Sequence, residues 1–132
     1  MAALVEGMHT GEFIGEHPMD IGYHVDEVTV ASSNTLKAGT VTGALVTATP
    51  GEEGAPDTPG SGKEVKFNPN GSGGAEIVAG IAFAAVDASS ADAVGRVVKR
   101  GPMTVNLNDL DFPAGSEDAV VAGLLAIGIK AV

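Results

Sequence analysis

Gly60-Ser61-Gly62-Lys63 is the kind of glycine-rich run whose backbone amides cradle a phosphate. A phosphate-binding loop also needs a glycine five positions before the Gly-Lys pair and a Ser or Thr directly after it. Asp57 and Glu64 occupy those positions, and Asp57 would repel a phosphate, so the run reads as a solvated linker. Gly71, Gly73 and Gly74 fall short of a dinucleotide fingerprint because Glu76 stands where the third glycine belongs, leaving them as turn formers ahead of a strand. His9, His17 and His24 are the chain's imidazoles. A metal site needs ligands held in fixed convergence, and no local helix or strand face brings these three together.

Asp109 and Asp111 share one face of an extended segment and have the types for a carboxylate pair or calcium ligands. No twelve-residue calcium loop surrounds them, and they read as a hydrophilic turn before Pro113. There is no G-x-S-x-G elbow, and a Ser/His/Asp mechanism would have to recruit a histidine from the N-terminal region. No catalytic residue, cofactor or metal is therefore expected. Arg96, Lys99 and Arg100 place three of the seven cations within five residues. They serve either to dock an acidic protein partner and steer association, or as a charged strand edge that deters pairing with other sheets.

The elements that would carry these residues follow from composition and pattern. A 132-residue chain is one domain, burying roughly two-thirds of its unfolded surface. Only 4% of residues are aromatic, so Gly, Ala and Val must fill most of the core, and oligomerisation would relieve the shortage of large anchors. A formal charge of −10 and a pI near 4.4 leave few cations for phosphates, which argues against nucleic acid as a direct partner. Cysteine is absent, removing disulfides and thiolate chemistry together. The N-terminus, MAALVEGMHTGEF, has neither the basic flank of a secretory signal nor a run long enough to span a membrane, so a soluble protein is expected.

Residues 1–24 show no sustained period and read as an extended arm, with the folded domain at 25–132. Val25–Ala31 alternates as a half-buried strand, a turn at Ser32-Ser33-Asn34 follows, and Leu36–Ala48 continues as β-structure. Residues 49–64, rich in Pro, Gly and acids with nothing to bury, read as a mobile surface loop. Val65–Phe67 is a short extended segment. Gly80–Gly101 reads as an antiparallel hairpin, with Ile81, Phe83 and Val86 on one apolar arm, Val94, Val97 and Val98 on the other, and a polar turn at 87–92. Met103–Leu107 alternates as another strand. Ser116 is placed to cap a helix over 116–127, with Glu117 and Asp118 in its first turn, Val120, Val121, Leu124 and Leu125 at helical spacing, and Gly128 to end it. Ile129–Val132 is a last extended segment. The fold class is mainly β with one short C-terminal helix.

The order NTLKAGTVTG, GGAEIVAGIAFAAVDASSADAVGRVVKRG, NLNDLDFPAG and LLAIGIKAV resembles the phage head decoration proteins related to the lambda head protein D. The resemblance runs from about Phe13 to the C-terminus and implies a small β-rich domain that trimerises on the outside of an expanded icosahedral capsid, at three-fold and quasi-three-fold positions, as a cement without catalysis. It implies an N-terminal arm that adds main-chain pairing to the major capsid protein; within that arm, side-chain type and position make Phe13, Ile14, Met19, Ile21 and Tyr23 the expected capsid contacts. Ala82, Ala84 and Ala85 would permit close approach at a trimer interface, and ordinary sheet packing uses them equally well. Thr49–Glu64 is like an insertion, and Phe112 stands where a Trp-Pro pair is common in relatives. The rival readings are a tail or fibre module and a small hydrolase built on Asp109, Asp111 and an arm histidine.

Overall fold

A computed structural model describes residues 9–16, 21–45 and 62–132. Its centre is a closed barrel of five short strands: β2 (Val25–Val30), β4 (Val41–Ala44), β5 (Glu64–Lys66), β6 (Val78–Ala82) and β8 (Ala93–Val98), in the order β2-β5-β4-β6-β8. β2 and β8 pair antiparallel over their whole length, from Val25 opposite Val98 to Val30 opposite Ala93. The parallel seam between β2 and β5 has the single register pair Val30 and Glu64, supported by the Ala31 amide donating to the Glu64 carbonyl at 2.9 Å.

Two smaller units flank the barrel. β3 (Asn34–Leu36) pairs antiparallel with β7 (Val86–Ala88) as a ribbon. β1 (Ile14–Glu16), β9 (Met103–Val105) and β10 (Ile129–Ala131) form a sheet with β9 central, antiparallel to β1 and parallel to β10. A parallel neighbour needs a crossover, supplied by α2 (Glu117–Ala126). Among the described residues no helix is long and apolar enough to cross a membrane.

The core divides along the same lines. Phe13, Val41, Phe67, Ile81, Val105, Leu124 and Ile129 belong to the larger cluster, joining the barrel, α2 and the three-stranded sheet. Val30, Leu36, Ala82, Val86 and Ala88 make the smaller one, between barrel and ribbon. The mainly β class with one C-terminal helix of useful length is as expected; the details differ in five places.

First, the chain folds well before residue 25. Phe13 is fully buried, β1 pairs with β9, and the single turn α1 (Ile21–His24) buries His24. An aromatic side chain gains enough by burial to offset the ordering of a short segment, and an exposed sheet edge offers it backbone partners. Second, the hairpin is split. β6 and β8 do pair, through Ile81 with Val98 and Ala82 with Val97, but Val86–Ala88 leaves to join β3. A Cβ on Gly95 would lie 2.5 Å from Val86 Cγ2, so the ribbon seats directly on a strand position that tolerates no side chain. Third, Val94 is 67% exposed, because alternation along β8 turns Gly95 and Val97 inward and Val94 outward with Arg96. Fourth, Val120 and Leu124 face the core while Leu125 lies exposed, and Ser116, which does hold the N-cap position with its carbonyl accepting from the Val120 amide at 2.9 Å, makes no side-chain cap: its hydroxyl donates to the Pro113 carbonyl at 2.5 Å. Glu117 and Asp118 do sit in the first turn, and Gly128 follows the helix at φ 85°, as the left-handed ending requires. Fifth, Glu64 belongs to β5 and is buried. Gly62 and Lys63 are described with it, whereas 49–61 of the expected loop, and 46–48 before them, lie outside the described residues.

Glu64 is 1% exposed and accepts a hydrogen bond from the Lys99 ammonium, itself 15% exposed. Its neighbours in register are Ala44 of β4 and Val30 of β2, so a carboxylate is held among apolar side chains where the barrel closes. Removing one member of such a pair leaves an uncompensated buried charge, at a cost of about 3–5 kcal/mol. Urea titration of Glu64→Ala and Lys99→Ala is expected to show that loss in each, with the double variant little worse than either single one; additive losses would mean the pair is not coupled. Phe13→Ala is expected to cost about 3–5 kcal/mol, while Tyr23→Ala, at a residue 49% exposed, leaves the unfolding midpoint nearly unchanged.

Candidate docking surface

The N-terminal segment is tied by its backbone to the residues that follow β6 and β9. The Gly11 amide donates to the Phe83 carbonyl at 3.0 Å, and the Asn106 amide donates to the Phe13 carbonyl at 3.0 Å. Ile14 and Ile21 are half-buried and pack against the larger core. Phe13 lies inside that core, so its side chain offers nothing to a partner; this corrects its reading as an arm contact. Met19 lies outside the described residues. Tyr23 remains substantially exposed, its ring edge-on to His24 at 5.3 Å between centroids and beneath the Arg100 guanidinium at 5.8 Å.

The basic trio is dispersed by the fold. Lys99 turns inward to Glu64. Arg100 grips Asp26 with both arms of its guanidinium, Nη1 donating to Oδ1 at 2.9 Å and Nη2 to Oδ2, and also donates to the Tyr23 carbonyl at 2.6 Å. Arg96 alone of the three falls among the exposed residues, on β8 directly opposite Glu27 of β2. Strand geometry explains the dispersal: successive side chains leave on opposite faces, and the charges nearest the barrel rim find carboxylates already placed there. The trio therefore forms no free cationic island.

The fold also brings together residues that the sequence keeps apart. Ile21, Gly22, Val25 and Phe83 wall a shallow concavity of about 280 Å³, with Glu27 and Arg96 among its lining. A second, of about 220 Å³, lies between Thr40, Val41, Lys66 and Phe67 on one side and Asp111, Phe112 and Pro113 on the other. Both fall below the roughly 300 Å³ at which small-molecule pockets begin. An apolar floor beside one cation and one anion suits a protruding side chain from another protein. Phe83, Val25 and Glu27 were not singled out for this role by sequence, since each had a sufficient reading as part of a strand or hairpin.

The residues once considered for chemistry stay apart or are otherwise engaged. His9 is exposed beside Glu12, His24 is buried with Nδ1 3.0 Å from the Arg100 carbonyl, and His17 lies outside the described residues. Asp111 uses its backbone to clasp Gly39 and Val41, with its carboxylate 3.9 Å from Lys37. Among the described residues no group of three or more His, Asp or Glu converges as a metal site. Of the three alanines, Ala82 is fully buried in its own domain, which is the sheet-packing reading, while Ala85 is exposed.

The family model of the bacteriophage lambda head decoration protein D matches residues 3–129, which takes in every strand and helix described above as far as the first residue of β10. The chain belongs to this family. No curated protein matches it. Head decoration proteins are structural, non-enzymatic components associated with the phage capsid. Within this decoration protein the concavity beside the N-terminal segment gathers one apolar contact and one cation named from sequence, Ile21 and Arg96, into a single place.

Arg100 holds the Asp26 carboxyl below the usual carboxylate range chiefly through its hydrogen bonds, which outweigh the opposing effect of burial, with smaller help from its charge and that of Lys99. Lys63, with Nζ donating at 2.5 Å, and the Ser32 amide do the same for Asp92. A carboxyl lowered in the folded state adds stability that is full above its unfolded value, near pH 4, and is lost as pH falls through the lower folded value. Both sites are open to solvent, so the effect is modest. Asp26→Asn is expected to destabilise the protein slightly at neutral pH and to flatten the fall in urea midpoint below about pH 4. An unchanged acid limb would show that Arg100 contributes nothing through Asp26.

Proposed function

We propose that the chain assembles as a homotrimer on the outer surface of the expanded phage capsid, at three-fold and quasi-three-fold positions, and cements the head by binding the major capsid protein. The observation that carries this reading is the decoration-family match over residues 3–129. The mechanism is mass action. A protein that binds only the expanded shell lowers the free energy of that state, and many modest sites on one lattice act together. No reaction is needed, and a net charge of −10 opposes contact with nucleic acid or anionic lipid.

The N-terminal stretch and the concavity beside it are the capsid-facing region in this reading. Ile14, Ile21 and Tyr23 supply apolar contact, Met19 joins them on side-chain type alone, and Arg96 supplies the cation. Arg96 is exposed and outside both cores, so altering it leaves the fold intact.

The test combines size measurement with co-sedimentation against expanded heads and compact precursor shells. The expected result is a trimer that pellets with expanded heads only, with Arg96→Glu weakening that binding several-fold while lowering the urea midpoint only slightly through its like charge opposite Glu27. Equal binding to both shell forms, or none to either, would overturn the maturation-dependent cement. Full binding by Arg96→Glu would remove the concavity from the interface.

A further inference from the structure

Asn34, Asn68, Asn70, Asn106 and Asn108 are the asparagines of the chain, and the fold sorts them sharply by their capacity for self-modification. Cyclisation of an asparagine requires the next residue's backbone nitrogen to reach the side-chain carbonyl carbon, without a bulky side chain in the way. Asn68 precedes Pro69, which has no N–H. Asn34 is clamped: Nδ2 donates to the carbonyls of Ala31 at 3.1 Å and Ser32 at 3.2 Å, while Oδ1 accepts from the Lys66 amide at 3.1 Å. Asn106 caps the short 3-10 turn at Leu107–Asp109 by accepting from the Asn108 amide at 3.1 Å, and Asn108 is locked within that turn. Asn70 differs from all four. It is exposed, and it precedes Gly71, which has no Cβ to obstruct attack.

From this contrast we infer that Asn70 is a site of spontaneous deamidation in the native protein, timed by opening of the turn that contains it. The Gly71 nitrogen, having lost its proton to solvent base, attacks Asn70 Cγ. A C–N bond forms, the bond to the side-chain amide nitrogen breaks, and ammonia leaves carrying the proton. Water then adds to either carbonyl of the cyclic imide, giving aspartate, or isoaspartate with the main chain rerouted through the former side chain.

The turn sets the rate. The Gly71 amide donates to the Asn68 carbonyl at 2.9 Å, the Asn70 amide donates to Asn68 Oδ1 at 3.0 Å, and the Asn68 amide donates to the Ala75 carbonyl at 2.9 Å. The attacking nitrogen is thus engaged until the turn opens, and folded protein modifies more slowly than unfolded chain. The product adds a negative charge to a chain already at −10. It also alters the loop that lies on β4, where a Cβ on Gly43 would come within 2.9 Å of the Ala75 and Gly74 backbone.

The full chain is incubated in mildly alkaline buffer, native and in urea, and followed by peptide mass mapping with isoaspartate detection. Native protein is expected to gain acid at position 70 before any other asparagine, several-fold more slowly than in urea. Asn70→Gln should give no product there, and Gly71→Ala should slow it several-fold in urea, where folding plays no part. Native product at Asn34, Asn106 or Asn108 as early as at Asn70 would overturn the assignment. So would no native product at Asn70 over a period in which the unfolded chain converts fully, and a native rate equal to the unfolded one would overturn control by the turn.

Discussion

The ion pair between Glu64 and Lys99 ties β5, the strand that closes the barrel, to the residue that follows β8. β2 and β5 meet through one register pair, and backbone bonding there is too sparse to define the join by itself. Bringing a carboxylate and an ammonium out of water costs several kcal/mol per ion and is recovered only when the two meet in good geometry. That requirement excludes neighbouring registers, because a slip of one residue would turn Glu64 to the opposite face and strand both charges. With β5 so placed, Phe67 reaches the larger core, its amide donating to the Val41 carbonyl at 3.0 Å, and the turn holding Asn70 follows directly from it.

A second dependence runs from the N-terminus. β9 sits between β1 and β10, so the last strand of the chain and one of the first complete the same sheet. Phe13 anchors that arrangement from inside, and Ile21 and Tyr23 are held at the surface by the short turn of α1 and by the Arg100 to Asp26 and Tyr23 contacts. The segment is partly structural and partly presented. In the capsid-facing role proposed for this segment, the ordering already present in its described residues lowers the entropy to be offset on binding.

Much of the architecture was legible because strand alternation and helix termination are local. Val28 and Val30 against Glu27 and Thr29 marked β2, Met103 and Val105 marked β9, and Gly128 ended α2 where it stands. The readings that failed depended on what lies across space. Phe13 looked unanchored because its partners, Val105 and Ile81 among them, come from far along the chain. Val86 looked like a hairpin arm because nothing near it reveals β3 as its partner. Arg96, Lys99 and Arg100 looked like one patch because sequence does not show Glu64 and Asp26 waiting at the rim.

By itself, then, the sequence determined a small, acidic, mainly β domain with a C-terminal helix, and its ordered motifs carried the decoration-family resemblance. Charge, turn residues and periodicity are properties of neighbouring residues, and they survive without a fold. Between Glu27 and Arg96 the relation is made by strand pairing, and between Glu64 and Lys99 by an ion pair, in each case across tens of residues. Only tertiary structure decided that the barrel closes through β5, that two cations of the trio are neutralised, and that Ile21, Phe83 and Arg96 share one concavity. The physical reason is that a buried charge or a seated aromatic ring acquires its energy from partners that the chain brings together only once it has folded.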